Sequence, residues 1–238
     1  MSPRIVIEFE RIQSEMEQVK LYYNTVTPLL KETLFELMKE PLFAPFRLVG
    51  GTNLSLRYGH RLSIDIDLFT DSAYDSLDFM VIESYLRSRY PYYDCNDKGS
   101  IVGMGRSYYV GNSPIDSVKI DLMYADPFIQ DVEMLDGLRM ASVDDIIAMK
   151  MNVVSRGGRK KDFWDLHLLL NHYDLPQMFA LHEKRYEWEH DSVQLLQMFT
   201  DFIIANEMPD PICLLGKDWD YIKLDMIEAA TGVAGQTD

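Results

Sequence analysis

The chain has 238 residues, enough for one large domain or two small ones with a proper hydrophobic core, and its 47% hydrophobic and 26% charged residues are an ordinary globular mixture. No apolar run approaches the ~20 residues of a membrane helix, and Glu8, Glu10 and Arg11 interrupt the opening apolar stretch, so neither a membrane span nor a signal peptide is expected. A formal charge of −15 argues against a general polyanion binder and suits a basic protein or a cationic small molecule, and two distant cysteines, Cys95 and Cys213, fit reduced thiols in the cytoplasm.

Glu8 to Lys20 and Pro28 to Lys39 read as helices, the second with Leu29, Leu30, Leu34, Phe35 and Met38 at helical spacing. Pro41 and Pro45 end that region, and a first strand begins at Phe46 to Val49. Thr52 is placed to cap a short helix through Tyr58, with Gly59 as terminator. Strand Ile64 to Phe69 follows, then a helix over about 78–89. Turns at Asn96–Gly99 and Gly111–Pro114 bound a hairpin of two strands, roughly 100–110 and 115–124. Beyond Leu138 the pattern turns helical. Ser142 with Asp145 three residues on resembles a capping box opening a helix to about Arg156, and Gly157–Gly158 breaks it. Further helices are expected over about 160–172, 176–187, 192–207 and 218–230, with a frayed tail from Thr231.

The chemistry concentrates between Leu48 and Thr70. Asp65 and Asp67 alternate with Ile64, Ile66 and Leu68, so a half-buried strand would anchor its apolar residues and turn both carboxylates to one face, with Cα atoms about 6.6 Å apart. Carboxylates held so close repel unless a cation intervenes, and hard divalent ions such as Mg²⁺ suit oxygen donors. Asp121 sits in an equivalent strand pattern, Val118 to Met123. Gly50 and Gly51 form a turn able to bring backbone N–H groups to a phosphate. A glycine turn and three strand aspartates together point to metal-assisted phosphoryl chemistry, against the plainer reading of a solvated strand face and an ordinary tight turn.

Gly50-Gly51-Thr52, His60 to Phe69, Lys119-Ile120-Asp121-Leu122, Asp145 to Lys150 and Arg159 to Leu166 resemble, in order, the motifs of the AbiEii/AbiGii toxin family, within the polymerase-β-type nucleotidyltransferase superfamily. The resemblance covers about 48–170. It implies a mixed α/β (α+β) sheet core over residues 1–140, preceded by helices, and a helical domain over 141–238 that completes the nucleotide site. It also implies transfer of a nucleoside monophosphate from an NTP to an acceptor hydroxyl. Two Mg²⁺ ions would be held by Asp65, Asp67 and Asp121, with Asp121 orienting the acceptor proton. Gly50, Gly51, Thr52, Arg61, Ser63 and Lys150 would contact the nucleotide, and Asp162 would act beside it.

For several of these residues the plainer alternative stays open. Lys150 also has the reading of a solvated helix lysine, Arg61 and Ser63 of braces for the aspartates, and Asp165 of a surface partner of nearby basic residues. Trp164, Leu166 and Leu169 read as core. His167, His172, His182 and His190 lack ligand spacing. The family context implies the toxin of a toxin–antitoxin or abortive-infection system, a separately encoded antitoxin and a tRNA acceptor. That acceptor conflicts with the overall charge unless Arg156, Arg159, Lys160 and Lys161 form a local positive rim. A small-molecule nucleotidyltransferase acting on a cationic antibiotic is the alternative enzyme. A non-catalytic protein on the same fold is the other, and the complete carboxylate set counts against it.

Overall fold

The computed structural model describes residues 20–95 and 103–234, so the helix expected over Glu8–Lys20 and the turn at Asn96–Gly99 lie outside the described residues, Lys20 excepted. A seven-stranded mixed sheet has the order β3-β4-β5-β2-β1-β7-β6. The strands are β1 (Arg47–Leu48), β2 (Asp65–Thr70), β3 (Tyr92–Cys95), β4 (Gly105–Ser113), β5 (Asp116–Tyr124), β6 (Glu133–Leu135) and β7 (Leu138–Met140). β2 runs parallel to β5 and antiparallel to β1, while β4 closes on β5 as the expected hairpin.

Alternation sets the two faces. Ile66 and Leu68 on β2, Ile120 and Leu122 on β5, and Tyr108 and Val110 on β4 are fully buried. They pack against helices α1 (Pro28–Lys39, capped by Thr27) and α3 (Phe79–Arg89, capped by Asp78) in one apolar cluster. Ile64, expected to anchor this face, is instead 68% exposed. The strand does not start until Asp65, because the preceding backbone is held elsewhere: Ser63 N–H donates to the Thr25 carbonyl and Leu62 N–H to that of Ile212.

Helix α2 (Gly50–Tyr58) follows β1 and ends at Gly59 in the left-handed region, as its sequence suggested. Thr52 does not cap it. Gly50 (φ +69°) already opens the helix, leaving Thr52 inside the first turn, where its hydroxyl donates to the Asp65 carbonyl and lies 2.8 Å from the Ser63 hydroxyl.

The helical half comprises α4 (Val143–Val154), α5 (Lys160–Leu169), α6 (Leu175–Arg185), α7 (Ser192–Phe199), α8 (Ile203–Asn206) and α9 (Trp219–Ala234). The expected single helix over 192–207 is broken at Thr200–Phe202, and the last helix continues to Ala234 rather than fraying at Thr231. The apolar residues here form a second cluster, joined from the sheet half by Val49 and Leu54. Trp164 stacks on Trp219 at 6.2 Å, and Phe163 and Phe202 meet the same ring edge-on. Ser142 caps α4 by accepting from Asp145 N–H, while the buried Asp145 carboxylate takes Arg185 of α6 at 2.8 Å. No described helix is long and apolar enough to cross a membrane.

Backbone-level connections help to bind the halves. Asn53 donates to the carbonyls of Leu48 and Ala141, tying α2 to both parallel strands β1 and β7. Leu62 N–H donates to the Ile212 carbonyl and Leu214 N–H to that of His60, an antiparallel bridge centred on Arg61 and Cys213.

Candidate active site

β2 and β5 place Asp65 opposite Lys119 and Asp67 opposite Asp121 in parallel register. Paired residues of a parallel ladder share a face, so three carboxylates and one ammonium form a four-residue patch opposite the apolar side. Asp121 is held at both oxygens: Ser107 of β4 donates its hydroxyl to Oδ1, and Lys119 Nζ lies 2.6 Å from Oδ2. Asp65 faces Lys161 of α5 at 3.5 Å. Among the described residues Asp67 receives no ion pair or side-chain hydrogen bond. Burial, then repulsion from Asp121 and Asp65, pushes its carboxyl up to about 6.

The glycine turn lies directly against this patch. A Cβ at Gly50 would overlap the Asp67 carboxylate, and one at Gly51 would overlap the Arg61 guanidinium. Gly50 also needs its positive φ, so no other residue meets both conditions without strain.

Behind the patch lies a buried polar network centred on Asp165. Arg61 clasps its carboxylate through Nε at 2.6 Å and Nη2 at 2.8 Å, while Nη1 donates to the Leu62 carbonyl. His60 Nε2 lies 2.8 Å from Asp165 Oδ1, and Lys150 Nζ lies 2.7 Å from Oδ2. Lys150 also reaches Asp162 Oδ1 at 2.6 Å, and Asp162 Oδ2 accepts from the backbone N–H and side chain of Arg159. Burial alone would push the Asp165 carboxyl up, but Arg61 and Lys150 hold it well below the usual carboxylate range; Lys150 and Arg159 likewise lower Asp162.

Lys150 is therefore not a solvated helix lysine: its side chain is 7% exposed and bridges two carboxylates, and its charge also acts on Asp67 of the patch. Asp165, read as a surface partner, is buried at the centre of the network. Arg61 braces this network, and Ser63 contacts Thr52. The basic cluster is locally neutralised: Arg156 pairs with Glu189, Arg159 with Asp162, Lys160 with Asp210, and Lys161 with Asp65. His167 pairs with Asp225 and His182 with His190. Ser107 went unremarked in the sequence, and Lys119 stood there only as part of its strand motif, with no role in the site. Lys119 was discoverable, standing two residues before Asp121 and so on its face; Ser107 becomes visible only once the hairpin register is known.

The donor chemistry suits a hard divalent cation, since three carboxylates share a face and Asp67 is in no direct ion pair among the described residues, Lys150 and Lys161 acting on it only from a distance. Among the described residues, no group of three or more His, Cys, Asp or Glu side chains is placed to hold a metal ion as the side chains stand. An open pocket of about 340 Å³ adjoins the patch, lined by Ser63, Ile64, Arg159, Lys161, Pro209 and Ile212 among others.

The fold resembles solved nucleotidyltransferase structures. A putative nucleotidyltransferase from H. pylori aligns with TM-score 0.52 and 21% identity over 86% of this chain and 93% of its own. The protein JHP933 from Helicobacter pylori aligns with TM-score 0.53 and 20% identity over 86% and 90%. The nucleotidyltransferase toxin MenT4 from Mycobacterium tuberculosis H37Rv aligns with TM-score 0.50 and 15% identity over 85% and 81%. In sequence, an uncharacterized protein of Aquifex aeolicus (strain VF5) is 30% identical over 164 residues, 66% of this chain and 73% of that protein. Residues 32–230 match the family model described as nucleotidyl transferase AbiEii toxin, type IV TA system. With its mixed sheet, aspartate-bearing strands and helical C-terminal half, the chain belongs to the AbiEii toxin family of the polymerase-β-type nucleotidyltransferase superfamily.

Proposed function

We propose that this protein is a metal-dependent nucleotidyltransferase that moves a nucleoside monophosphate from an NTP to the hydroxyl of a tRNA, as the toxin partnered by a separate antitoxin. One observation carries the reading: Asp65, Asp67 and Asp121 share one face, with the Gly50–Gly51 turn pressed against Asp67. Mg²⁺ held by these aspartates would polarise the α-phosphorus and neutralise charge on the leaving pyrophosphate.

This chain's residues divide the remaining work. The Gly50 and Gly51 backbone receives the triphosphate at the start of α2, between the Asp67 carboxylate and the Arg61 guanidinium that pack on these glycines. Asp121, fixed by Ser107 and Lys119, orients the acceptor hydroxyl. Its oxygen bonds to the α-phosphorus as the bond to the bridging oxygen breaks; pyrophosphate leaves and the hydroxyl proton passes to solvent. Thr52 and Ser63 fix the chain around Asp65. Lys150, Arg61 and Asp162 act on the nucleotide through the network that ties the loop at Arg61 and helix α4 to α5.

A second reading has its own support. Because each residue of the basic cluster is paired and the chain carries −15 overall, the cleft offers little attraction to a polyanion and suits a small cationic acceptor. Incubation with each labelled NTP, Mg²⁺ and either total tRNA or a polycationic antibiotic separates the two, with Asp67→Asn as control. Label on tRNA that the control abolishes is expected. Label on the antibiotic alone selects the second reading, and no label on any acceptor removes the enzyme assignment.

A further inference from the structure

Three carboxylates side by side on a sheet face would repel one another strongly if nothing stood between them. Two lysines stand there. Lys119 is an integral corner of the patch, opposite Asp65 in register and 2.6 Å from Asp121. Lys161 reaches Asp65 from the first turn of α5, across the join between the halves. Their side chains are 30% and 33% exposed, so each ammonium can exchange its carboxylate for water by rotating about its own stem. Lys150 is the contrast. Enclosed by Asp162 and Asp165, it has no such route to solvent.

We propose that Lys119 and Lys161 are resident counter-cations of the aspartate patch, which hold it together without metal and give up their carboxylates when a divalent cation binds. The proposal rests on the metal-dependent reading above. The incoming ion meets Asp67, the carboxylate of the three with no direct ion pair among the described residues, and then competes with Lys119 for Asp121 and with Lys161 for Asp65. Both lysines therefore weaken metal binding while stabilising the metal-free protein. A lysine whose only task was to support the fold would do the second and not the first.

The test is Mn²⁺ binding to the full chain without nucleotide, followed by calorimetry and by the paramagnetic signal of the free ion. Lys119→Met and Lys161→Met are compared with the wild type, alongside melting in EDTA and in Mg²⁺. Lys119→Met is expected to bind Mn²⁺ on the order of tenfold more tightly, the size of one charge-assisted contact removed from the competition. Lys161→Met, with its longer 3.5 Å contact, should show a smaller gain. Both variants should melt lower than wild type in EDTA and gain more from Mg²⁺, and Lys119→Arg should restore wild-type behaviour. Unchanged or weaker Mn²⁺ binding in both methionine variants overturns the proposal while the metal-dependent reading stands. Absence of Mn²⁺ binding to the wild type overturns both. Because the lysines sit on separate elements, misfolding of one variant leaves the other to decide.

Discussion

Arg61 and Asp165, 104 residues apart in the chain, meet in a two-pronged buried ion pair of 2.6 and 2.8 Å. The same carboxylate serves His60 and Lys150, so it neutralises groups from the loop before β2 and from α4 while sitting on α5. Asp165→Asn keeps the shape and removes the charge, leaving Arg61 and Lys150 with too little compensation. A loss of about 3–5 kcal/mol is expected in urea denaturation at pH 7. The Asp165 carboxyl is depressed by folding, so its contribution is fully present above the ordinary carboxylate range and is lost as pH falls through the depressed value.

Asp67 behaves in the opposite sense. Its folded pKa of about 6 lies above the ordinary carboxylate value of 3.8, so the folded state holds the extra proton between them. Stability should then fall as pH rises through that window, with the destabilisation complete above about 6. Asp67→Asn is expected to stabilise the EDTA-treated protein by about 1–3 kcal/mol at pH 8 and to give little gain at pH 4. Melting curves at the two pH values check this; an equal gain at both would dissociate the effect from ionisation. The same variant should lose any Mg²⁺-induced rise in melting temperature.

Gly50→Ala forces a left-handed backbone on a residue with a side chain and drives its methyl into the Asp67 carboxylate. A stability cost of about 1–2 kcal/mol is expected from the backbone alone. Nucleotide affinity, measured by calorimetry with Mg²⁺ present, should fall by more than that cost explains, because Asp67 must move. Gly51→Ala, with no positive φ to strain, should act only by displacing Arg61.

Lys150→Met leaves Asp162 and Asp165 buried with one cation fewer between them. Unlike the removal of a solvated lysine, it should cost about 3–5 kcal/mol in denaturant unfolding. A variant that binds nucleotide less well at unchanged stability would refute the positioning role given to this residue.

The sequence disclosed the aspartate face because its signal is local: Asp65, Ile66, Asp67 and Leu68 alternate within one strand, and Ile120 to Leu122 repeat the pattern. It did not disclose β3 or the β6–β7 hairpin. Asp136-Gly137 is a strong hairpin turn, and both residues take positive φ, but three-residue flanks are too short to display a period. The Asp165 network was hidden for a different reason. Asp162 and Asp165 stand on one helix face whether that face meets solvent or protein, and only the packing of α5 against the loop at His60 decides between them. The balance of the basic cluster was likewise illegible, since Glu189, Asp210 and Asp65 approach it from distant parts of the chain.

The bridge between Arg61 and Cys213 has a consequence for the order in which this protein comes into being. Synthesis delivers all three patch aspartates by residue 121, yet the backbone just before Asp65 is fastened by Ile212 and Leu214. A nascent chain stopped anywhere short of those residues carries the carboxylates without the clasp on the loop that leads into β2. The β2–β5 ladder can pair as soon as both strands exist, but the loop that leads into it is fastened only when the distal segment returns to a stretch made some 150 residues earlier.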